Sequence, residues 1–346
     1  MATDSVVKDE LTALIRNFQG RRILVIGDII VSRFVEVAAR KLAREAPVPA
    51  GDYVGETFLP GGAANLAREL TSLGASTSVV GLVGSDEYGT WVGNEFTRNG
   101  ISHTGVLVDS SRPTSLRTWI MVNSFHTLRI DREDRRDVPF AMAKKMMAEA
   151  EPQIKEVDCV ILSDYDRGAI TSALINWVVA AAQESGKIVV AQPKNHHYLD
   201  FSGVTYVKSN LQEAAAATGM SIVNDTSLRN MGVNLLSRLE CKGLLVTRGE
   251  EGITLFDKEN VTHFPPLGGR KNLFSKVGVR DAMTGVFSLG VATGGSAFQA
   301  ACLCNVAGAA RSDLQRTASL SAADLENMVN DMDDFAQRVV QVPVRR

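Results

Sequence analysis

Apolar residues at Val6, Leu11, Leu14, Ile15 and Phe18 recur at helical spacing, and Gly20 ends the helix they predict over Val6–Phe18. Arg22 to Asp28 then reads as a continuous apolar strand running into a polar turn. A strand apolar at every position belongs to a sheet covered on both faces. Similar runs recur at Ser78–Leu82, Cys159–Leu162, Ile188–Ala191, Thr205–Val207 and Leu244–Thr247. Helix-like segments separate most of them: Ala63–Ser72, Gly89–Arg98, Phe140–Ala150, Ser172–Gln183, Leu211–Thr218 and Ser227–Leu239. Strand alternating with helix predicts an α/β fold, a mainly parallel central sheet flanked by helices with right-handed crossovers.

Two stretches break the alternation. Phe34–Phe58 has strand-like pieces without a clear helix, and Thr114–Asp131 reads as a hairpin, Leu116–Val122 and Thr127–Asp131, turning near Asn123-Ser124. Extra strands inserted into an α/β core form a small separate sheet. Here it is expected from segments 32–58 and 107–131, as a lid over a site at the carboxyl ends of the main strands. No charge occurs from Ala282 to Ala310, long enough to cross a bilayer. Gly294-Gly295 splits that run and Ser288, Gln299 and Asn305 interrupt it, so two buried helices are expected and no membrane partner. Ser321–Val340 reads as a surface helix with Ser321 and Asp324 as its capping pair. With no repeat or linker, residues 1–346 are expected to form one domain.

Charge and cysteine usage narrow the class. Lys plus Arg number 37 against 39 Asp plus Glu, a formal charge of −2, which argues against a partner bound by neutralising nucleic-acid phosphates. Cys159, Cys241, Cys302 and Cys304 form no C-x-x-C pair and have no histidine at zinc-finger spacing, so buried free thiols in a reducing cytoplasm are expected. Met1–Gly20 is charged, without the apolar core of a signal peptide. His196-His197 lacks a third metal ligand and reads as an exposed loop, and Asp131–Asp137 as a solvated charge run.

Four segments carry candidate chemistry. Neither a P-loop nor a strand-linked G-x-G-x-x-G is present. Pro60-Gly61-Gly62-Ala63-Ala64-Asn65 is the first strong feature: it lets backbone approach a ligand closely just before a helix, with Asn65 as donor and acceptor, a tight loop being the alternative. Asn210-x-x-Glu213 after a strand is suited to a hydrated Mg²⁺ beside phosphate, and equally to a helix cap. Thr247-Arg248-Gly249-Glu250-Glu251-Gly252 is a turn against which a nucleotide could lie, or a hairpin. Gly278-Val279-Arg280-Asp281 opens the uncharged helix. There backbone amides can hold a transferring phosphoryl group while the carboxylate takes a hydroxyl proton, or Asp281 simply caps the helix.

In this order the segments resemble the ribokinase-like (PfkB) family of carbohydrate kinases, from about Arg22 to Ala310. The chain looks most like the heptose 7-phosphate kinase branch. Gly27-Asp28, Glu45-Ala46-Pro47-Val48-Pro49, Pro60–Ala67, Ser163-Asp164-Tyr165, Gln192-Pro193-Lys194 and Val246-Thr247-Arg248 carry that finer match. The resemblance implies a ribokinase-like fold, transfer of phosphate from ATP with Mg²⁺ to a sugar or sugar-phosphate hydroxyl, and a β lid that builds a homodimer. It implies Asp281 as base, with Gly278 and Arg280 beside it, and Asn210 and Glu213 as the metal-organising pair. Asp28, Ser32, Gly61, Gly62, Asn65, Asp164, Arg167 and Lys194 would lie on the sugar side; Arg129, in the expected hairpin, would contact ligand from the lid or equally stand as a surface arginine. Ser209, Asn210, Thr247, Gly249, Gly252 and Asn305 would lie on the nucleotide side.

Three segments depart from the pattern. The family has T-G-A-G-D where this chain has Val277-Gly278-Val279-Arg280-Asp281, Ser32 replaces an Asp, and Gln192 replaces another. If position 279 or 280 requires positive φ, its side chain would be strained; Arg280 would either add positive charge for the phosphates or fill their site. A sugar kinase is the expected function. The alternatives are an impaired relative that binds nucleotide or sugar without efficient turnover, and a different α/β enzyme such as a dehydrogenase.

Overall fold

The computed structural model describes residues 4–194, 196–267 and 277–344. The chain opens with α1 (Asp4–Arg16), β1 (Arg22–Gly27), the long strands β2 (Ile29–Leu42) and β3 (Pro49–Gly62), and α2 (Ala63–Ser72). It continues through β4 (Ser76–Val83), α3 (Glu87–Arg98), β5 (Ser102–Val108), β6 (Ser115–Val122) and β7 (Phe125–Arg132). Next come α4 (Phe140–Glu156), β8 (Cys159–Ser163), α5 (Ser172–Glu184), β9 (Ile188–Gln192), β10 (Tyr206–Asn210), α6 (Leu211–Thr218) and α7 (Asp225–Leu239). The last part holds β11 (Gly243–Thr247), β12 (Ile253–Asp257), β13 (Asn260–Phe264), α8 (Val279–Ala292), α9 (Ala297–Asp313), α10 (Ala322–Asn330), α11 (Phe335–Arg338) and β14 (Val340–Pro343).

The main sheet runs β14-β13-β12-β11-β10-β9-β8-β1-β4-β5. Every pairing from β11 to β5 is parallel, and β11 to β14 pair antiparallel. Alternate residues of β1 feed two cores. Ile23 and Val25 pack with α2, α8 and α9 through residues such as Leu66, Val286 and Leu303, and Leu24 and Ile26 with α4, α5 and α7 through Met146, Leu174 and Leu235. Both sheet faces are therefore dry, the physical reason for the unbroken apolar strands. A second sheet, β3-β2-β6-β7, stands apart and is mixed: β2 pairs β6 in parallel, while the other pairs are antiparallel.

The expected alternation, the hairpin turn at Asn123-Ser124 and the split of the uncharged run into α8 and α9 are all present. Among the described residues no helix is long and apolar enough to cross a membrane. Several expectations change. The small sheet takes residues from Ile29 and from Ser115 onward, because Ser102–Val108 pairs with β4 in the main sheet. Ser321 does cap α10 through a reciprocal box with Asp324, but the helix stops at Asn330 and Val340–Pro343 leaves as a strand on β13. The hairpin of β12 and β13 was not anticipated. His197 is buried, with its ring nitrogens 3.0 Å from Asp200 and 3.3 Å from Asp137, while His196 stacks on it from outside. The run at Asp131–Asp137 is only partly solvated, since Glu133 is drawn inward by Arg167 at 2.5 Å.

Candidate active site

The turn from β1 into β2 places Asp28 under the loop after β8. Its carboxylate accepts from the backbone amides of Tyr165 at 2.7 Å, Arg167 at 3.2 Å and Ala169 at 3.1 Å. Burial and the nearby Asp164 charge push its pKa up to about 7 despite those amides. Asp164 in turn accepts from the amides of Asp166 at 2.7 Å and Lys194 at 3.1 Å. Both acids, expected on the sugar side, shape the loops around them through these amides. Arg167 likewise braces its own loop: it pairs with Glu133 and donates to the Tyr165 and Asp166 carbonyls at 2.8 and 2.9 Å.

What those loops hold is Tyr165, whose hydroxyl donates to Asp281 Oδ1. Asn65, in the first turn of α2, donates its amide to Asp281 Oδ2 at 2.7 Å, and Arg68 one turn later donates to Asn65 Oδ1 at 3.1 Å, which fixes the amide orientation. Asp281 is thus buried and gripped at both oxygens, in the first turn of α8. Gly62, the N-cap of α2, has φ 57°, and a Cβ there would lie 2.3 Å from the Asp28 carbonyl oxygen, so only glycine brings α2 this close. Gly61 lies against Ser32 on the paired strand, 3.0 Å from its Oγ to an added Cβ. The left-handed residue that starts α8 is Gly278, with φ 81°, whereas Val279 and Arg280 are already helical. The departures from T-G-A-G-D therefore carry no positive φ.

Arg280 leans over the Tyr165 ring, 5.5 Å from its centroid, and donates to Glu213 Oε1 at 2.5 Å. Lys194 donates to the same oxygen. Burial opposes the charge on Glu213, yet Arg280 and Lys194 together hold its carboxyl below the ordinary value. Asn210 and Glu213 form a capping box on α6, the Asn210 side chain accepting from the Glu213 amide at 2.8 Å. This is the cap reading of N-x-x-E, and it bears on the Mg²⁺ expectation. As arranged, these donors do not fit a divalent cation, since a third positive centre would meet two already in place. Among the described residues no group of three acidic, histidine or cysteine side chains could hold a metal ion.

Of the residues expected on the nucleotide side, Ser209, Asn210, Thr247, Gly249 and Gly252 gather at the carboxyl ends of adjacent strands β10 and β11. Thr247 Oγ1 donates to the Ser209 carbonyl at 3.3 Å, and Gly249 and Gly252 bracket a one-turn 3₁₀ helix closed by Arg248 N donating to Gly252 O at 2.8 Å. Asn305 on α9 donates to the Pro265 carbonyl at 2.7 Å. Arg129 stays on the small sheet, paired with Asp131 at 2.9 Å and set over Trp119.

Sequence reasoning missed several supports. Lys208, fully covered, donates to the Arg280 carbonyl at 3.2 Å, and burial followed by the Arg280 charge pushes its pKa down to about 8. The single Thr284 hydroxyl lies between two acceptors, the Gln192 side-chain oxygen and the Arg280 carbonyl, the latter at 2.9 Å. Under Gly278 lies the fully buried pair Arg311–Glu69 at 3.2 Å. A signal for it was available: Glu69 sits among Leu66, Leu70 and Leu73 on the apolar stripe of α2, where an unpaired acid has no place.

The sequence profile described as "pfkB family carbohydrate kinase" matches residues 21–320. The bifunctional protein HldE of Helicobacter hepaticus is 32% identical over 288 residues, 83% of this chain and 59% of that protein. HldE of Caulobacter vibrioides is 34% identical over 304 residues, 87% of this chain and 62% of that protein. The chain thus spans about three-fifths of the length of these curated relatives. Among solved structures, Arabidopsis thaliana ribokinase complexed with ribose and ATP matches with a TM-score of 0.72 at 16% identity, covering 90% of this chain and 99% of that one. Escherichia coli phosphofructokinase-2 in complex with potassium matches at 0.74 and 16% identity, with the same two coverages. These likenesses establish the ribokinase-like α/β fold.

Proposed function

Because the chain belongs to the pfkB family of carbohydrate kinases, we propose that it transfers the terminal phosphoryl group of ATP to a hydroxyl of a sugar or sugar phosphate, with a heptose 7-phosphate-like acceptor. The observation that carries this reading is the grip on Asp281, a carboxylate held by Asn65 and Tyr165 where α2, α8 and the loop after β8 meet. An acid fixed at both oxygens is pre-aimed for a hydroxyl. It takes the hydroxyl proton as the oxygen bonds to phosphorus, and ADP leaves with the electron pair of the broken bond. The first amides of α8 point outward at the phosphoryl oxygens, and Arg280 and Lys194 add positive charge. Ser32, Gly61, Gly62 and Asn65 form the sugar side; Ser209, Asn210, Thr247, Gly249, Gly252 and Asn305 form the nucleotide side. The resemblance of Glu45–Pro49, Pro60–Ala67 and Gln192-Pro193-Lys194 to the heptose 7-phosphate kinase branch supports the heptose acceptor.

The second sheet acts as a lid and as the face of a homodimer. Exposed Tyr53, Val54, Phe125, Leu128 and Ile130 give it an apolar surface of the kind that a second copy covers. The four free, buried cysteines support a reducing, cytoplasmic location. One observation favours a second reading, binding without efficient turnover: Arg280, next to the proposed base in sequence, and Lys194 are already engaged by Glu213.

The test is product formation from ATP with a panel of sugar phosphates, heptose 7-phosphates included, for the wild type and Asp281→Asn. The kinase reading expects product from the wild type and about a thousandfold less from the variant, within the range a positioned base contributes. No product with any acceptor, alongside saturable binding of ligand, overturns it in favour of the second reading.

A further inference from the structure

We propose that Glu213 is an internal stand-in for phosphate: in the ligand-free protein its carboxylate occupies a two-cation subsite formed by Arg280 and Lys194, and an incoming phosphoanion displaces it. The cations arrive from separate elements, Arg280 from the first turn of α8 and Lys194 from the loop after β9, yet both converge on the single oxygen Oε1. Their exposure is graded. The Glu213 side chain is 6% exposed, while Arg280 and Lys194 are 24% and 29% exposed. The acid forms the floor and the cations the rim, so an anion entering from solvent meets the cations first.

Glu213 also has a role to return to. Its other oxygen lies 3.3 Å from the Asn210 amide nitrogen, which donates to it in the capping box, and 3.5 Å from Ser209 Oγ. The carboxylate therefore keeps the Asn210 backbone amide as a donor when the cations leave. A phosphate offers several oxygens to the same pair and suits the forked guanidinium better than one shared oxygen does. Arg280 lies over the ring of Tyr165, whose hydroxyl holds Asp281, so the subsite adjoins the proposed base.

The cost of the stand-in is a reduced apparent affinity. A competent state populated a tenth of the time weakens binding about tenfold, equivalent to about 1.4 kcal/mol. The experiment is calorimetric titration of the intact protein with pyrophosphate in excess chelator, free of Mg²⁺. Glu213→Gln keeps the capping box, which accepts Gln as well as Glu at that position, and removes the competing charge. It is expected to bind pyrophosphate about tenfold more tightly than wild type. Adding Arg280→Gln to that variant is expected to abolish the gain. Unchanged or weaker binding by Glu213→Gln overturns the proposal, and so does an equal gain for acetate, which reports only a change in general charge. Should Glu213→Gln not fold, Lys194→Met decides: about tenfold weaker pyrophosphate binding is expected, and unchanged binding overturns the proposal. The phosphoanion's identity as part of ATP rests on the kinase reading, but this titration does not. A binding gain without sugar phosphorylation overturns that reading alone, and turnover without the gain overturns this one alone.

Discussion

Replacing Glu69 with Gln tests the buried support beneath the proposed base. Glu69 and Arg311 are both fully buried. Glu69 accepts from Arg311 Nε at 3.2 Å and, through its other oxygen, from the Leu320 amide at 2.9 Å. The remaining guanidinium nitrogens reach only the carbonyls of Gln315 at 3.4 Å and Arg316 at 3.3 Å. A Gln side chain would turn its NH₂ toward either the guanidinium or the Leu320 amide, donor against donor, and leave Arg311 without counter-charge. Removing one partner of a buried pair costs about 3–5 kcal/mol; because Arg311 keeps two carbonyls, about 3 kcal/mol is expected. At a urea slope of about 3 kcal/mol per M, the unfolding midpoint falls by about 1 M.

The companion measurement is the double variant Glu69→Met with Arg311→Met. Burial pushes the Glu69 carboxyl above its ordinary range even though the Leu320 amide, Arg311 and Arg68 pull it down, so desolvation outweighs attraction in this pair. The double variant should lose less stability than Glu69→Gln, because the Arg311 charge leaves together with its partner and only Arg68, 3.9 Å from Glu69, loses an attraction. A Glu69→Gln loss under about 1 kcal/mol, or a double variant worse than the single one, refutes this reasoning. The single variant should also turn over more slowly where it remains folded. A Cβ at Gly278 would lie 2.9 Å from Arg311 Nη2, so a displaced guanidinium disturbs the start of α8.

Tyr165→Phe removes one of the two hydrogen bonds that aim Asp281; about 1 kcal/mol of stability and about tenfold in kcat should be lost with KM little changed, by urea melts and initial rates. Lys208 loses its proton near pH 8 in the folded chain and near 10.5 when unfolded. The unfolded chain therefore binds more protons between these values, and this lysine's contribution to stability rises with pH across that window. Lys208→Met should be more stable than wild type at pH 7 by about 2–3 kcal/mol, an advantage that shrinks toward pH 10 in urea melts; a constant difference contradicts the assignment. Ser124 has φ 69° beside Asn123 at φ 48°. Ser124→Gly should raise stability by about 1 kcal/mol, since glycine occupies that region without strain.

Elements with local signals were legible in the sequence. Ala63–Ser72 and Leu211–Thr218 match their helices to the residue because a glycine pair and an Asn–Glu box mark the starts. Asn123-Ser124 marked its hairpin because Asn tolerates positive φ. Long-range pairing was not legible. Val340–Pro343 continues a helix-like stretch but finds its partners on β13, about 80 residues earlier. The same holds at the site. Asp281, Asn65 and the α8 start were marked by their motifs, whereas Glu213 reads as a free acid until folding brings up Lys194 and Arg280. Asp28 and Arg167 look like ligand contacts in a linear motif; folding turns them onto backbone amides and Glu133.

The second strand runs unbroken for 14 residues, Ile29 to Leu42, about 46 Å at 3.3 Å per residue. Its root is Asp28, whose carboxylate is pinned to the amides of Tyr165 and its neighbours. The outlying sheet is therefore rooted in the same loop that carries Tyr165, so the tilt of that sheet and the aim of the proposed base share one anchor.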